Sequence, residues 1–204
     1  MKRKRVALLF LIAVLTLSAA KPHVKKVYDG DTVLLSTGEQ VRYLAVDAPE
    51  IDHKGDKGSD FLAHEARELN VRLVQGRPVR LEFDQERKDH HGRLLAYVFL
   101  QNGDMINQVL VRRGLARVLL KPPNLKYSSL VLDAQRQAMA ERVGISQKGF
   151  ENPEAHYIGN SDSYRFHRPS CPLGKTVSGR HRLRFETAYK AYWEGFSPCS
   201  QCRP

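Results

Sequence analysis

The sequence is short of cysteine, of acidic residues and of long apolar runs. Its 204 residues include only 3 cysteines, all in the last fifth of the chain. An odd number of cysteines argues against a complete disulfide framework. With 42% hydrophobic and 27% charged residues, the composition supplies both a core and a solvated surface, which excludes a disordered protein. This length allows one ordinary domain and a small second one.

The shortage of acidic residues leaves the chain strongly basic. It has 33 lysines and arginines against 22 aspartates and glutamates, a formal net charge of +11. Such an excess favours an anionic partner, either nucleic acid or an anionic surface. Charge alone does not select between these two.

The longest apolar run lies at the N-terminus. The basic segment MKRKR is followed by twelve mostly apolar residues, VALLFLIAVLTL, and then by the small residues SAA. This pattern is typical of a secretory signal peptide over residues 1–20, cleaved after Ala20. Twelve residues are too few to span a bilayer comfortably, and no cysteine follows as a lipid acceptor. We therefore expect a secreted or periplasmic protein without stable membrane association.

The rest of the chain divides by composition into residues 21–150 and residues 151–204. Strand patterns cover residues 24–28, 31–36, 41–46, 78–84, 93–100 and, more briefly, 115–119. Helical patterns cover residues 60–75, 104–114 and 127–143. This order predicts an α+β, mainly β fold: a five-stranded barrel of the OB type with about three helices. The second part is polar and rich in arginine. It has about fifty residues, near the size at which a domain needs a disulfide or a bound metal to be stable.

Acidic residues and arginines lie at strand ends and turns of the first part, on segments that can converge at one mouth of a small barrel. Individually, each has an ordinary interpretation as a turn former or a solvated surface residue. Together they form one chemically coherent set: Asp31, Arg42, Asp47, Glu50 and Arg93.

This set suits the hydrolysis of a phosphodiester bond. Asp31 and Asp47 can hold a hard divalent cation, with a backbone carbonyl and waters as further ligands. Such a cation polarises a phosphoryl oxygen. Glu50 can orient or deprotonate the attacking water. Arg42 and Arg93 can each fork onto the phosphate and stabilise the charge that develops in the transition state.

Three segments taken in order, DGDTV, VRYLAVDAPE and DHHGRLLAYVFLQNGDMINQVLVRRGLARV, resemble the thermonuclease (staphylococcal nuclease) family. The resemblance runs from about Val24 to about Gly144. It implies an OB-fold barrel and calcium-dependent hydrolysis of single-stranded DNA and RNA. Cleavage at the 5′-side P–O bond, leaving 3′-phosphate products, is implied as well.

The resemblance also implies a role for each residue of the set. Calcium is expected to be bound by Asp31, Asp47 and the backbone carbonyl of Ala48. Glu50 is expected to be the general base, and the two arginines are expected to hold the scissile phosphate.

Two differences from the family's pattern concern substrate binding. His91 stands where a phenol side chain is usual, and imidazole can replace its phosphate contact in part. With it we class Lys54 and Lys57, in the charged loop over residues 50–60, as substrate-binding candidates. Downstream, LARVLLKPPN lacks the tyrosine expected to stack on a base. Because base stacking contributes about 1–3 kcal/mol, substrate affinity or base preference is expected to differ.

The second part carries one histidine and all three cysteines at spacings that suit a structural zinc site. These residues are His167, Cys171, Cys199 and Cys202. A disulfide between two of the cysteines is the alternative, and His156 and His181 are rival fourth ligands. The segment distantly resembles the zinc-binding domain of the Ada DNA-repair protein, which implies zinc and contact with nucleic acid.

The sequence therefore predicts an exported, calcium-dependent endonuclease that acts on DNA and RNA as a monomer. A rival hypothesis is a nucleic-acid-binding protein on the same OB fold without catalysis. A second rival is a surface module that binds anionic wall polymers or lipids. The complete set argues against the first rival, because a protein that only binds nucleic acid has no need of Glu50.

Overall fold

The structure is a computed structural model that describes residues 21–52, 54–56, 58–150 and 153–204. The predicted signal peptide over residues 1–20 lies outside the described residues, and so does Lys57.

Seven strands lie among the described residues before residue 150. They are β1 (Val24–Val27), β2 (Thr32–Leu35), β3 (Gln40–Tyr43), β4 (Val46–Asp47), β5 (Arg80–Glu82), β6 (Leu94–Phe99) and β7 (Arg117–Val118). Five of them form a sheet in the order β1-β2-β3-β6-β5, in which only the β3–β6 pair is parallel. β4 and β7 form a separate antiparallel pair. The predicted α+β, mainly β fold is confirmed, and the closure of the sheet into a barrel stays a prediction.

Three helices pack with these strands: α1 (Ala63–Val74), α2 (Ile106–Arg112) and α3 (Ser128–Ala140). They correspond to the three predicted helices. Beyond α2 and α3 the chain turns at Gly114 and Gly144, whose φ angles are +66° and +57°. A Cβ on Gly114 would lie 2.4 Å from the carbonyl oxygen of Val143, so glycine permits this close approach. The close approach of Gly114 and Val143 fixes the short 3₁₀ helix Gly144–Lys148 against the domain.

The prediction of one continuous strand over residues 41–46 is wrong. The chain turns at Leu44 and Ala45, where Ala45 has a φ of +61°, and this turn separates β3 from β4. The buried side chain of Asn107 holds the turn, since its Nδ2 donates to the Leu44 carbonyl at 2.8 Å. Its Oδ1 accepts from the Val98 N–H at 2.9 Å. The turn carries the chain out of the main sheet and into β4, which pairs with β7.

The C-terminal module, residues 153–204, has its own sheet. Its strands are β8 (Tyr157–Asn160), β9 (Arg165–His167), β10 (Arg182–Phe185) and β11 (Ser197–Pro198), in the order β10-β8-β9-β11. Two short helices accompany them, α4 (Pro172–Lys175) and α5 (Ala188–Trp193). The predicted boundary between residues 150 and 151 stays a prediction.

The C-terminal module packs on α3 of the preceding domain. Gln135 donates to the Tyr192 carbonyl at 2.6 Å, and Arg136 donates to the Trp193 carbonyl at 2.9 Å. Among the described residues, none of the helices has the length and apolar composition needed to span a bilayer.

Candidate active site

Asp31 lies buried at the start of β2, with 5% of its surface exposed. Its Oδ2 accepts the Ala48 N–H at 2.6 Å, and its Oδ1 accepts the Thr32 hydroxyl at 3.1 Å. Burial raises the pKa of Asp31 to about 7, although the positive charge of Arg42 opposes this rise. Additional positive charge at this position would stabilise the carboxylate form further.

The turn before Asp31 depends on close packing. The Asp29 side chain accepts the Asp31 N–H at 2.9 Å, which closes the turn. A Cβ on Gly30 would lie 2.5 Å from the Cβ of Ala48 and 2.9 Å from the Cβ of Ala66. Only glycine fits between these neighbours, and the turn is thereby fixed against both α1 and the segment after β4.

Arg42 connects the two aspartates of the predicted set. Its Nε lies 3.2 Å from Asp31 Oδ1, and its NH2 donates to Asp47 Oδ1 at 2.9 Å. Its NH1 donates to the carbonyl oxygens of Tyr43 and Val46. The Arg42 side chain is 15% exposed, whereas that of Asp47 is 51% exposed. The structure thus brings these two carboxylates to one guanidinium, with Asp47 open to solvent.

Glu50 follows Ala48 and Pro49 on the chain that leaves β4. Its N–H donates to Asp60 Oδ2 at 3.1 Å, and its carbonyl accepts the Asp60 N–H at 3.0 Å. Partial burial and the neighbouring carboxylates of Asp29 and Asp47 raise the pKa of Glu50. A carboxylate with a raised pKa is a stronger base, which suits proton abstraction from water.

Arg93 lies at the entry to β6, the strand that pairs with β3. Its Nε donates to Asp89 Oδ2 at 2.7 Å. Asp89 Oδ1 also accepts the N–H groups of His91 and Arg93, so this carboxylate organises the whole turn. His91 is exposed, and its ring lies 3.8 Å from that of His90.

The loop after Glu50 is organised by Asp52, which the sequence did not single out. Its carboxylate accepts the N–H groups of Lys54, Gly55 and Gly58. The side chain of Lys54 is exposed. The sequence of this loop did not indicate that one aspartate accepts three backbone N–H groups.

A cavity of about 390 Å³ opens beside the carboxylates. Asp47 and Glu50 are among its lining residues, and so are three residues that the sequence did not suggest as functional: Phe61, Arg117 and Lys148. Arg117 is the cross-strand partner of Asp47 in the β4–β7 pair. The predicted strand over residues 115–119 contains Arg117, but its pairing with β4 was not readable from the sequence.

The C-terminal module holds a second cluster of functional side chains. One potential ligand atom from each of His167, Cys171, Cys199 and Cys202 lies within 4.8 Å of the others. None of the three cysteines forms a disulfide in this structure. Four ligands about 2.3 Å from a tetrahedral zinc would lie about 3.8 Å apart, so these atoms are close to a zinc-binding arrangement.

His167 takes the fourth position of this cluster, and the rival histidines lie elsewhere. Its Nδ1 lies 3.5 Å from the sulfur of Cys171. Burial and the charge of Arg165 lower the pKa of His167, which favours the neutral imidazole that binds metals. His181 instead lies 3.3 Å from the hydroxyl of Ser161.

Comparisons with known proteins match the part that contains the carboxylates. A family model described as staphylococcal nuclease homologue matches residues 40–148. The chain is 37% identical to a thermonuclease of Staphylococcus intermedius, over 61% of this chain and 75% of that protein. It is 38% identical to a thermonuclease of Staphylococcus hyicus, over 60% and 73%. It is 35% identical to the endonuclease YncB of Bacillus subtilis, over 59% and 58%. The family match ends before the C-terminal module.

Proposed function

Because this chain belongs to the family of staphylococcal nuclease homologues, we propose that it is an exported, calcium-dependent nuclease that hydrolyses DNA and RNA to 3′-phosphate products. Membership makes the chain a phosphodiester hydrolase that acts on nucleic acid. The observation that carries the finer proposal is the arrangement of Asp31, Asp47 and Arg42 directly beside Glu50.

The oxygen donors at this position fit calcium. Asp31 and Asp47 approach the same guanidinium, and the Ala48 carbonyl follows Asp47 directly in the chain. Carboxylate and carbonyl oxygens are the ligands that calcium takes, whereas a site without nitrogen or sulfur donors disfavours zinc. A bound calcium ion supplies Lewis-acid polarisation of a phosphoryl oxygen.

The chain's own side chains perform the remaining steps. Glu50 accepts a proton from water as the water oxygen forms a bond to phosphorus. The P–O5′ bond breaks, and the leaving oxygen takes a proton from solvent. Arg42 and Arg93 donate to the non-bridging phosphate oxygens and stabilise the charge that builds there. This role requires Arg42 to exchange part of its contact with Asp47 for the phosphate. His91 and Lys54 are exposed and can contact the flanking backbone, together with Lys57 outside the described residues.

We assign a structural zinc ion to the cluster of His167 and the three cysteines. Three sulfurs and one imidazole nitrogen form a complete tetrahedral set without an open position. The module has a thin apolar core, for which a metal supplies the missing stability. Zinc analysis of the purified protein is expected to give one ion per chain. His167→Gln should lose this ion, whereas His181→Gln should retain it.

Cleavage of heat-denatured DNA by the purified full chain tests the nuclease. We expect cleavage with calcium, none with a calcium chelator, and 3′-phosphate ends on the products. Glu50→Gln should lower kcat by about 10²–10⁴-fold, the usual contribution of a general base. Glu39→Gln is the matched control, because Glu39 is exposed on the turn before β3. Salt-sensitive DNA binding without cleavage by folded wild-type protein would instead identify a non-catalytic binder.

Export and monomeric state belong to the same proposal. Expression of the full chain in a bacterium should yield a secreted or periplasmic protein whose sequence begins at Lys21. Size-exclusion chromatography should give the mass of one chain. An uncleaved N-terminus on protein that remains in the cytoplasm would contradict export.

A further inference from the structure

We propose that Phe61, Arg117 and Lys148 form a subsite for the nucleotide next to the scissile phosphate, and that the C-terminal module positions Arg117 through Tyr192. The inference rests on the proposed nuclease function. It gives the C-terminal module a role in substrate binding at the same active site.

The cavity described above has the size and the position for a nucleotide. Its volume of about 390 Å³ falls within the usual range of ligand pockets, about 300–1,000 Å³. Asp47 and Glu50, which belong to the proposed catalytic set, line the cavity, so an occupant would lie next to the proposed position of the scissile phosphate. Asp60 adds a third carboxylate to the lining.

Three other lining residues, Phe61, Arg117 and Lys148, have the chemistry that binds a nucleotide. Phe61 is 44% exposed, although aromatic side chains of this size are usually covered. The Nζ of Lys148 lies 3.8 Å from the centroid of the Phe61 ring. The other face of the ring can stack on a base, while Lys148 and Arg117 bind the adjacent phosphate.

Arg117 is held in the cavity by the C-terminal module. Its NH1 donates to the Tyr192 hydroxyl at 3.0 Å, and its guanidinium carbon lies 4.8 Å from the Tyr192 ring centroid. Tyr192 is itself 6% exposed and contacts the rings of Phe150 and Phe166. An arginine fixed by two contacts loses less conformational entropy when it binds a phosphate. Tyr192 is therefore a positioning residue for Arg117.

The proposed zinc cluster lies next to the support of Tyr192. Phe166, whose ring centroid is 5.1 Å from that of Tyr192, directly precedes the ligand His167 in β9. Loss of the metal should therefore release Tyr192, and with it Arg117, without touching the catalytic carboxylates. The expected consequence is a weaker affinity for substrate at an unchanged kcat.

The test uses short single-stranded DNA with one hydrolysable linkage. The same DNA carrying an abasic residue on either side of that linkage is compared with it, using the full chain with calcium and zinc. In wild type, loss of the base on the occupied side should raise KM about 5- to 160-fold, the effect of losing one stacked base. In Phe61→Ala this difference should disappear, and Phe61→Trp should restore it. Equal KM effects of base loss in wild type and Phe61→Ala would overturn the base subsite.

A second set of variants tests the link to the C-terminal module. Tyr192→Phe removes only the hydroxyl that accepts from Arg117, and should raise KM several-fold with kcat unchanged. Tyr189→Phe is the matched control, since Tyr189 lies in the same helix and is exposed. Unchanged KM in Tyr192→Phe would overturn the positioning role. If the wild type proves unable to cleave, only the nuclease proposal fails, and equilibrium binding of the same DNA by the same variants decides the subsite.

Discussion

The two cores of this molecule are built from different side chains. The core under the main sheet is largely aliphatic, with fully buried residues such as Val24, Val33 and Leu110. The core of the C-terminal module is small and largely aromatic, with Tyr157, Phe166 and others, and a cluster of thiols and imidazole lies beside it. One region thus has a continuous apolar interior, and the other has a small apolar core with the proposed zinc ligands beside it.

This difference indicates how each region is stabilised and what each can do. The aliphatic core stabilises the sheet mainly by burial, so we expect the proposed catalytic carboxylates to lie on a scaffold that needs no metal to fold. We expect the C-terminal module to depend on its proposed zinc ligands and to unfold when the metal is removed. Met139 of α3 belongs to the smaller cluster, so the two cores meet at that helix.

Zinc removal is expected to separate the two regions most clearly. Structural zinc contributes about 10–16 kcal/mol in small zinc-folded peptides, and the module should unfold without it. Trp193 is the only tryptophan of the chain and lies in the module, so its fluorescence reports that region. In Cys199→Ser, the Trp193 signal should change at low urea while far-UV circular dichroism shows a folded sheet.

The same experiment can also show that the two regions do not unfold independently. If both signals change together in Cys199→Ser, the two cores form one cooperative unit and the comparison fails. His181→Gln serves as the control, since His181 lies outside the cluster, and should leave both transitions in place.

Truncation of the aliphatic core is the next largest effect. Leu110 is completely buried in α2, and Leu110→Ala should lower the free energy of unfolding by about 2–5 kcal/mol through lost burial and a cavity. Urea unfolding followed by circular dichroism measures the loss. It should be equal with and without zinc, because the aliphatic core stabilises itself. A much larger loss in the zinc-free protein would contradict that independence.

Much of this organisation could be predicted from the sequence, because its causes are local. Alternating apolar residues marked the strands, including residues 31–36, which contain β2. The acidic and basic residues stood at strand ends. The cysteine spacings indicated the cluster in the C-terminal module.

The remainder depends on contacts between residues far apart in the chain. Phe61, Arg117 and Lys148 meet in one cavity only after the sheet and helices have packed. The division of β3 from β4 depends on Asn107, which lies more than sixty positions beyond the turn it holds. A periodic pattern reports which face of a strand is buried, but not which distant amide accepts or donates there.

The turn held by Asn107 yields a third prediction, which concerns both the scaffold and the site. Asn107→Ala should lower the free energy of unfolding by about 1–3 kcal/mol, because buried backbone groups of Leu44 and Val98 lose their partner. Since this turn leads into β4, kcat for DNA cleavage should fall as Asp47 loses its fixed position. Circular dichroism in urea and cleavage kinetics measure the two effects. An unchanged kcat in a destabilised variant would separate the turn from the site.

The smallest effect should come from the surface of the main sheet. Glu82 accepts hydrogen bonds from Lys126 and Tyr127, at 2.8 and 2.6 Å, and it also pairs with Arg80. The bonds from Lys126 and Tyr127, together with that from Arg80, lower the pKa of Glu82 to about 2. A carboxyl group whose pKa is lower in the folded than in the unfolded protein stabilises the fold above its unfolded pKa. This contribution disappears as pH falls through the folded pKa.

Glu82→Gln should therefore destabilise the sheet at neutral pH by about 0.5–1 kcal/mol, as expected for a partly exposed ion pair. The deficit should shrink as pH falls from about 5 towards 2, because the wild-type carboxylate then becomes protonated as well. Circular dichroism in urea at several pH values measures it. Glu86→Gln, on the exposed chain after β5, is the control. A deficit that stays constant with pH would show that Glu82 acts through packing, and the Trp193 signal should not respond to either variant.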